Sequence, residues 1–333
     1  MKLQPIPIIS YSAYDKDRFV VDFINANVPC LIEGLVTKWP AYKKWDKKYF
    51  KETLGNLDIA FHDFSQKKKG IINHIAEGKL SDFIARLEKG DNIRHFGLSH
   101  PFYDFVRTTD ELNNALNITD IEKLVPKNRF LGLSAMNYAA WPWCPPYSPQ
   151  MYIAGANIST LLHYDQDHSH NFHWCVWGCK KVTLFAYDEQ YNNALRNLQN
   201  IDFSQPLDEK IYKKLPILHN LQGWNATLQP HQILFLPSKM WHHFKNEEVS
   251  LSYAVRARSF NTLEKYCEFL QDDQTPTVMI PYLASLWRRV DWRQRSLIGH
   301  ILVWFKKPVI IITRLLAKLL FAVNTIKSRF ISR

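Results

Sequence analysis

The sequence predicts a mainly β protein with helical additions, its centre a sandwich or small barrel. Three observations carry this. Between residues 130 and 258, short apolar runs alternate with turn residues, as brief strands joined by tight connections require. Before residue 129 the apolar side chains recur mostly at helical spacing, with one short apolar run among them, which fits an α/β extension packing on the core. After residue 261 the texture changes again, to amphipathic helical patterns rich in Lys and Arg. The expected layout is therefore an N-terminal extension over 1–129, a β core over 130–260 and a basic helical region over 261–333.

Each element follows in order. The run DKDRFVVDFINANVPCLIEGL opens on an Asp suited to a helix cap, carries Phe19, Val20 and Phe23 at helical spacing, and passes through Pro29 into a short strand. WPAYKKWDKKYFKETLG reads as a turn at Trp39-Pro40 and a helix closed near Gly55. The polar stretch 62–128 holds the helical patterns LSDFIARLEKG and DELNNALNITDIEKLV. The core strands are read from RFLGLSAM, MYIAGA, NFHWCVWG, KKVTLFAY, WNATLQPHQILFLP and VSLSYAVRA.

Composition narrows the functional classes. A chain of 333 residues that is 46% hydrophobic and carries eleven Trp and twenty Phe can build a large core, which argues against disorder. The net charge of +11 looks like a nucleic-acid signal until it is located: residues 283–333 hold eleven Lys and Arg against the single acid Asp291. About +1 is left for the body, so a nucleic-acid partner is disfavoured. Five scattered cysteines, Cys30, Cys144, Cys175, Cys179 and Cys267, form no two-pair metal pattern and read as free thiols. With a start that lacks the apolar core of a signal peptide, they lead us to expect a reducing, cytoplasmic setting.

The segment HYDQDHSHNFHWCVWGCKK, residues 163–181, concentrates metal-ligating side chains. In His163-Tyr164-Asp165 the two candidate ligands stand two apart, so on an extended strand both project from one face. A third must come from elsewhere, and QILFLPSKMWHHF offers His242 or His243 after a Pro turn. Two imidazoles and a carboxylate on one side of a metal is the donor set of non-haem Fe(II) oxygenases. An isolated His-x-Asp is more often plain surface polarity, so order and spacing must decide.

The motifs NVPCLIEGLVTKWPAYKKWDKKYFKETLG, ANISTLLHYDQDHSHNFHWCVWGCKKVTLF and LQPHQILFLPSKMWHHFKN, in this order over residues 15–260, resemble the cupin-type JmjC-like Fe(II)/2-oxoglutarate-dependent oxygenases. The resemblance implies a double-stranded β-helix, or jelly-roll, as the core. It implies Fe(II) and 2-oxoglutarate as cofactors, with His163, Asp165 and His242 as metal ligands and His243 as the competing reading. Lys180, after Gly178, matches the lysine that holds the cosubstrate's distal carboxylate, and Lys181 is the alternate, since a strand lets only one of the two point inward. Thr160 matches its hydroxyl partner and Asn171 a polar residue on the cosubstrate side. No catalytic residue beyond the metal ligands is implied. One departure stands out: where relatives often carry Asn on the last core strand, this chain has Ala254, with Ser252 and Arg256 nearby.

The activity implied is hydroxylation of a protein or peptide side chain. The same chemistry on a small molecule, a lipid or an RNA base is the second reading, and a non-catalytic cupin-like module binding a metal or partner is the third. The loop NYAAWPWCPPYSPQMY, residues 137–152, suits either a peptide rim or core packing. In the tail, Ile298, Ile301, Leu302 and Phe305 share one helical face, and Ile312, Leu315, Leu316, Leu319, Leu320 and Val323 another beyond Pro308. No charge-free run there approaches the roughly twenty residues that a bilayer demands. The tail suits peripheral contact with a membrane surface through residues 283–333, or a homodimer through the C-terminal helices.

Overall fold

The chain crosses repeatedly between two β-sheets, and that alternation builds the site. The structure, a computed structural model, describes residues 1–64, 74–96, 119–122, 124, 150–165 and 169–257. The expected strand at 129–136, most of the loop 137–152 and the whole basic tail lie outside the described residues. The strands among the described residues are, in chain order, β1 (Lys2–Pro5), β2 (Ile8–Ser10), β3 (Cys30–Glu33), β4 (Asp58–Asp63), β5 (His74–Lys79), β6 (Ile93–Phe96), β7 (Gln150–Ala154), β8 (His170–Trp177), β9 (Lys180–Phe185), β10 (Gln222–Leu228), β11 (Gln232–Leu236), β12 (Trp241–Asn246) and β13 (Ser250–Ala257).

A nine-stranded sheet runs β2-β3-β11-β8-β13-β7-β6-β4-β5 and a four-stranded sheet runs β1-β10-β9-β12. After β8 the chain passes to the small sheet for β9 and β10, back for β11, over for β12 and back for β13. This is a jelly-roll core, as expected. The N-terminal 129 residues contribute β2 to β6 to the large sheet and β1 to the small one.

Strand alternation decides what lies between the sheets. Leu31, Leu234 and Leu236 of the large sheet meet Val182, Leu184 and Phe244 of the small one in a single buried cluster. Burying each such side chain stabilises the fold by about 1.5–3 kcal/mol. The opposite face of the large sheet is aromatic: Trp174 of β8 packs edge-on to Trp39, with ring centroids 5.3 Å apart, and stacks at 5.8 Å on Tyr253 of β13.

Two short helices supply the cover on that face. Pro40 starts the helix Pro40–Lys44 at its first position, where its missing N–H costs nothing. Asp46 caps Lys47–Leu54 by accepting from the Tyr49 N–H at 2.7 Å, and the helix ends at Gly55 as its sequence predicts. Upstream, Asp15 caps Lys16–Phe19 as expected, accepting from the Asp17 and Arg18 N–H groups. Helix Leu80–Glu88 forms over the LSDFIARLEKG pattern.

The outer face of the small sheet is closed by the helix Glu189–Arg196 and the chain after it: Phe185 and Trp241 pack with Leu195, Phe203, Leu218 and Leu221. The Trp241 indole N–H donates to Asn192 Oδ1 at 3.0 Å. At the β8–β9 turn Gly178 adopts φ +71°, where a Cβ would stand 2.5 Å from the Val249 carbonyl oxygen, so only glycine fits.

Contact density divides the chain into two compact units. The first comprises Met1–Asp120, Pro149–Tyr164 and Asn171–Ala254; the second comprises Ile121–Ser148, Asp165–His170 and Val255–Arg333. Of the second, only residues 121, 122, 124, 165, 169, 170 and 255–257 are described. No helix among the described residues is long and apolar enough to cross a membrane.

Candidate metal centre and acid pocket

His242 lies on β12, a strand in its own right rather than the end of the preceding apolar run. Because Trp241 is buried under the helix Glu189–Arg196, strand alternation turns His242 to the other face, beside Leu184 and Phe244 between the sheets. His243 is thereby turned outward with Trp241, its ring 6.0 Å from Phe203 and its Nε2 3.9 Å from Asp202. Burial lowers the His243 pKa, with Asp202 opposing the shift. The Asp202 carboxylate accepts from Lys245 Nζ at 2.7 Å and from the Ser204 N–H at 2.9 Å. Burial works to raise the pKa of Asp202, but these bonds prevail and hold it at about 2.

His163 is positioned by an irregular edge rather than by the regular strand its spacing suggests. Ser159 opposes Lys245, whereas His163 opposes His242: four steps on one chain against three on the other, the signature of a one-residue bulge. Within it Thr160 Oγ1 accepts the Phe244 N–H at 2.9 Å and donates to the Phe244 carbonyl at 3.4 Å, replacing a ladder bond of the backbone. The pairing then resumes: His242 N–H donates to the His163 carbonyl at 2.7 Å, and His163 N–H to that of His242 at 3.2 Å. The imidazole centroids end 4.2 Å apart.

One ligand atom each of His163, Asp165 and His242 lies within 4.8 Å of the others. The tautomers suit a metal. His163 Nδ1 is 2.7 Å from the Leu161 carbonyl and His242 Nδ1 is 2.9 Å from that of Met240. A carbonyl only accepts, so each Nδ1 carries the proton and each Nε2 keeps a lone pair for coordination. Two neutral imidazoles and one carboxylate fit a divalent first-row metal and, in facial arrangement, a non-haem iron.

Along β9 the alternation separates the two lysines. Lys180 is buried, 6% exposed, on the same sheet face as Val182, Leu184 and His242. Its ammonium donates to Ser252 Oγ of β13 at 2.5 Å and sits 5.9 Å from the centre of the Tyr152 ring. Burial pulls its pKa below the usual lysine value. Lys181 points to solvent and pairs with Glu247 at 3.0 Å. Asn171 and His173 of β8 share the inner face with Leu236 and Leu234, and the His173 ring lies between those of Phe244 at 4.8 Å and Tyr152 at 5.9 Å. Among the described residues nothing donates to the buried Asn171 Oδ1. Ala254, 1% exposed, shares the face of Ser252 on β13 and stands opposite Gln150. The side chain of Arg256 lies outside the described residues.

Two of the remaining histidines in the segment 163–181 separate. His170 is buried, and burial lowers its pKa to about 4; His168 lies outside the described residues. Burial pushes the Cys175 thiol up to about 11. Partial burial, together with the hydrogen bond and charge of Glu248, pushes Cys179 up to about 12. Neither is a thiolate at neutral pH, and Cys30 is a buried free thiol. Cys144 and Cys267 lie outside the described residues.

The sequence pattern of the cupin-like domain matches residues 16–262, most of the chain. The chain belongs to the cupin-like domain family. Among the relatives of this member, Jumonji C domain-containing protein 5 of Drosophila melanogaster is 24% identical over 257 residues, covering 71% of this chain and 56% of that protein. The bifunctional peptidase and (3S)-lysyl hydroxylase JMJD7 of Homo sapiens is 23% identical over 262 residues, covering 69% of this chain and 77% of that protein. The tRNA wybutosine-synthesizing protein 5 of Gallus gallus is 20% identical over 259 residues, covering 75% and 76%. The chain spans about half the length of the Drosophila protein. These names bear out the likeness to the JmjC-like oxygenases carried by the sequence motifs.

Proposed function

We propose that the chain is an Fe(II)/2-oxoglutarate-dependent hydroxylase of a protein or peptide side chain. The observation that carries this is the joint placement of three ligand side chains and one buried ammonium. His163, Asp165 and His242 converge with both Nδ1 protons tied to carbonyls, and the buried ammonium of Lys180 lies on the face of His242. A relative named as a (3S)-lysyl hydroxylase supports a protein side chain as substrate.

His163, Asp165 and His242 would hold the metal; Lys180 and the Ser252 hydroxyl would hold the distal carboxylate of the acid; Asn171 would meet its polar side. Bound iron with the 2-oxo acid supplies oxidation of a C–H bond by O₂, the acid leaving as succinate and CO₂. The protein's part is to bind, orient and exclude water. The apolar wall of Phe244, Leu184 and Leu234 lowers the local dielectric, so an ammonium–carboxylate contact there is worth more than in water. Asp165 balances part of the metal's charge, and the two imidazoles stay neutral as donors.

Anaerobic full-length protein given Fe(II) and 2-oxoglutarate should develop a weak visible charge-transfer band. That band should vanish in His163→Ala and in Asp165→Ala, and aerobic turnover should release succinate. A band that persists in both variants, or no succinate under any condition, would leave a metal-binding module without oxygenase activity. Mass spectrometry of co-purifying proteins for a 16 Da increment, one added oxygen atom, then finds the substrate.

A further inference from the structure

We infer that Asp202 is a positioning residue of the metal centre: the loop that carries it, residues 199–204, ties together the two segments that bear His163 and His242. The inference rests on the oxygenase reading above and adds a residue that lies outside every motif of the sequence.

Its basis is a set of bonds on the outer face of the small sheet, away from the ligand rings. Each histidine has a chain neighbour bonded to this loop. Leu162, next to His163 and fully buried, donates its N–H to the Gln199 carbonyl at 3.0 Å. On β12, His243 and Lys245 alternate with His242 and Phe244, so both face outward. The Asp202 carboxylate spans the two: Oδ2 accepts from Lys245 Nζ at 2.7 Å, and Oδ1 stands 3.9 Å from His243 Nε2. Oδ1 also accepts from the Ser204 N–H at 2.9 Å, which fixes the direction of the carboxylate. Beside it, the Phe203 carbonyl accepts from Thr183 Oγ1 at 3.0 Å, and Thr183 of β9 stands directly opposite His243. One loop thus reaches the edge segment of His163, β12 and β9.

The edge segment needs such a tie. Its pairing of His163 with His242 is an isolated bridge beyond the bulge, not part of a continuous ladder. Donor atoms around a metal must be held to within about 0.5 Å, and one bridge leaves the edge able to tilt against β12. The loop adds a second hold from the opposite face, anchored where Phe203 packs with Leu162 and Trp241 in one buried cluster. The Lys245–Asp202 pair is partly exposed, 19% and 39%, and pairs of that kind add little to stability. Its loss should therefore be felt at the metal and not in the fold.

The test is Co(II) affinity of full-length protein, by competition with a chromophoric chelator, at a temperature where circular dichroism shows every variant folded. Asp202→Ala should bind Co(II) ~10-fold more weakly, and the visible bands of the bound ion, which follow the angles between ligands, should shift. Lys245→Met, which leaves Asp202 bonded to the Ser204 N–H, should weaken binding in the same direction and keeps the test open if Asp202→Ala fails to fold. The double variant should lose no more than Asp202→Ala alone, because both changes cut one tie. Affinity and bands equal to those of the unaltered protein in either single variant, or losses that add in the double variant, overturn the role of Asp202 and leave the oxygenase reading standing. Failure of the unaltered protein to bind Co(II) overturns both.

Discussion

Lys180→Met combined with Ser252→Ala should make the protein more stable and deprive it of its acid ligand. The Lys180 ammonium is buried, hydrogen-bonded to one hydroxyl and faced by no carboxylate among the described residues. An ion so placed costs several kcal/mol of hydration, and replacing buried ionic groups with apolar ones of similar volume stabilises proteins by about 1–4 kcal/mol. Met matches the length of Lys, and alanine at 252 avoids leaving a buried hydroxyl without its partner. A net gain of about 2 kcal/mol is expected, a rise of roughly 4–8 °C in melting temperature for a unit of this size.

The pH dependence has a definite sign. The folded-state pKa of Lys180 lies below the unfolded value of about 10.5, so the unfolded chain binds the proton more tightly. The cost is therefore in full force below the folded pKa and disappears as pH rises to about 10.5. The advantage of the double variant should be largest below the folded pKa and shrink as pH rises through it toward about 10.5. Thermal denaturation followed by circular dichroism reads the gain. Added 2-oxoglutarate should raise the melting temperature of the unaltered, metal-loaded protein and not that of the variant. A variant that melts below the unaltered protein would mean the ammonium is already compensated, and the argument from an uncompensated cation would be wrong.

Thr160→Val should weaken metal binding by about 10-fold, measured by competition with a chromophoric chelator, because the Phe244 N–H loses its acceptor and the bulge that sets His163 relaxes. Thr160→Ser should behave like the unaltered protein; unchanged affinity in the Val variant would show that the bulge holds without the hydroxyl. His170 has a folded pKa of about 4 against an unfolded value of about 6.5, so its stabilising effect is complete above the latter and is lost as pH falls toward the former. Urea titrations should lose about 3 kcal/mol from this source over that interval, and His170→Gln should flatten the slope. Gly178→Ala forces a side chain into left-handed backbone and against the Val249 carbonyl, costing more than ~1–3 kcal/mol. A urea midpoint equal to that of the unaltered protein would refute it.

The parts of this site that could be read from the sequence are those fixed by local chemistry. His163 and Asp165 announce themselves by spacing, and the strands from MYIAGA to VSLSYAVRA by short apolar runs between turns. The choice between His242 and His243 could not be made by the strand rule alone, because the phase of alternation is set by Trp241 docking under a helix fifty residues earlier. The choice between Lys180 and Lys181 likewise waits on the turn at Gly178. The strand spacing of the 163–165 pair misleads at one point: a bulge, invisible to periodicity, interrupts the ladder at Thr160–Leu162 and gives the hydroxyl backbone work. Tyr152 and His173 carry no local signal at all. They reach the pocket only through the register of β7 and β8, which is a long-range property of the sheet.

Both histidine rings are tethered to carbonyl oxygens two residues upstream in the chain. A metal ion arriving from solvent therefore meets rings whose tautomer is already chosen and whose rotation is already restrained. Capture should proceed without a slow rearrangement step, in a single phase whose rate scales with metal concentration, and exchange of one divalent ion for another should be limited by ligand dissociation rather than by reshaping of the pocket.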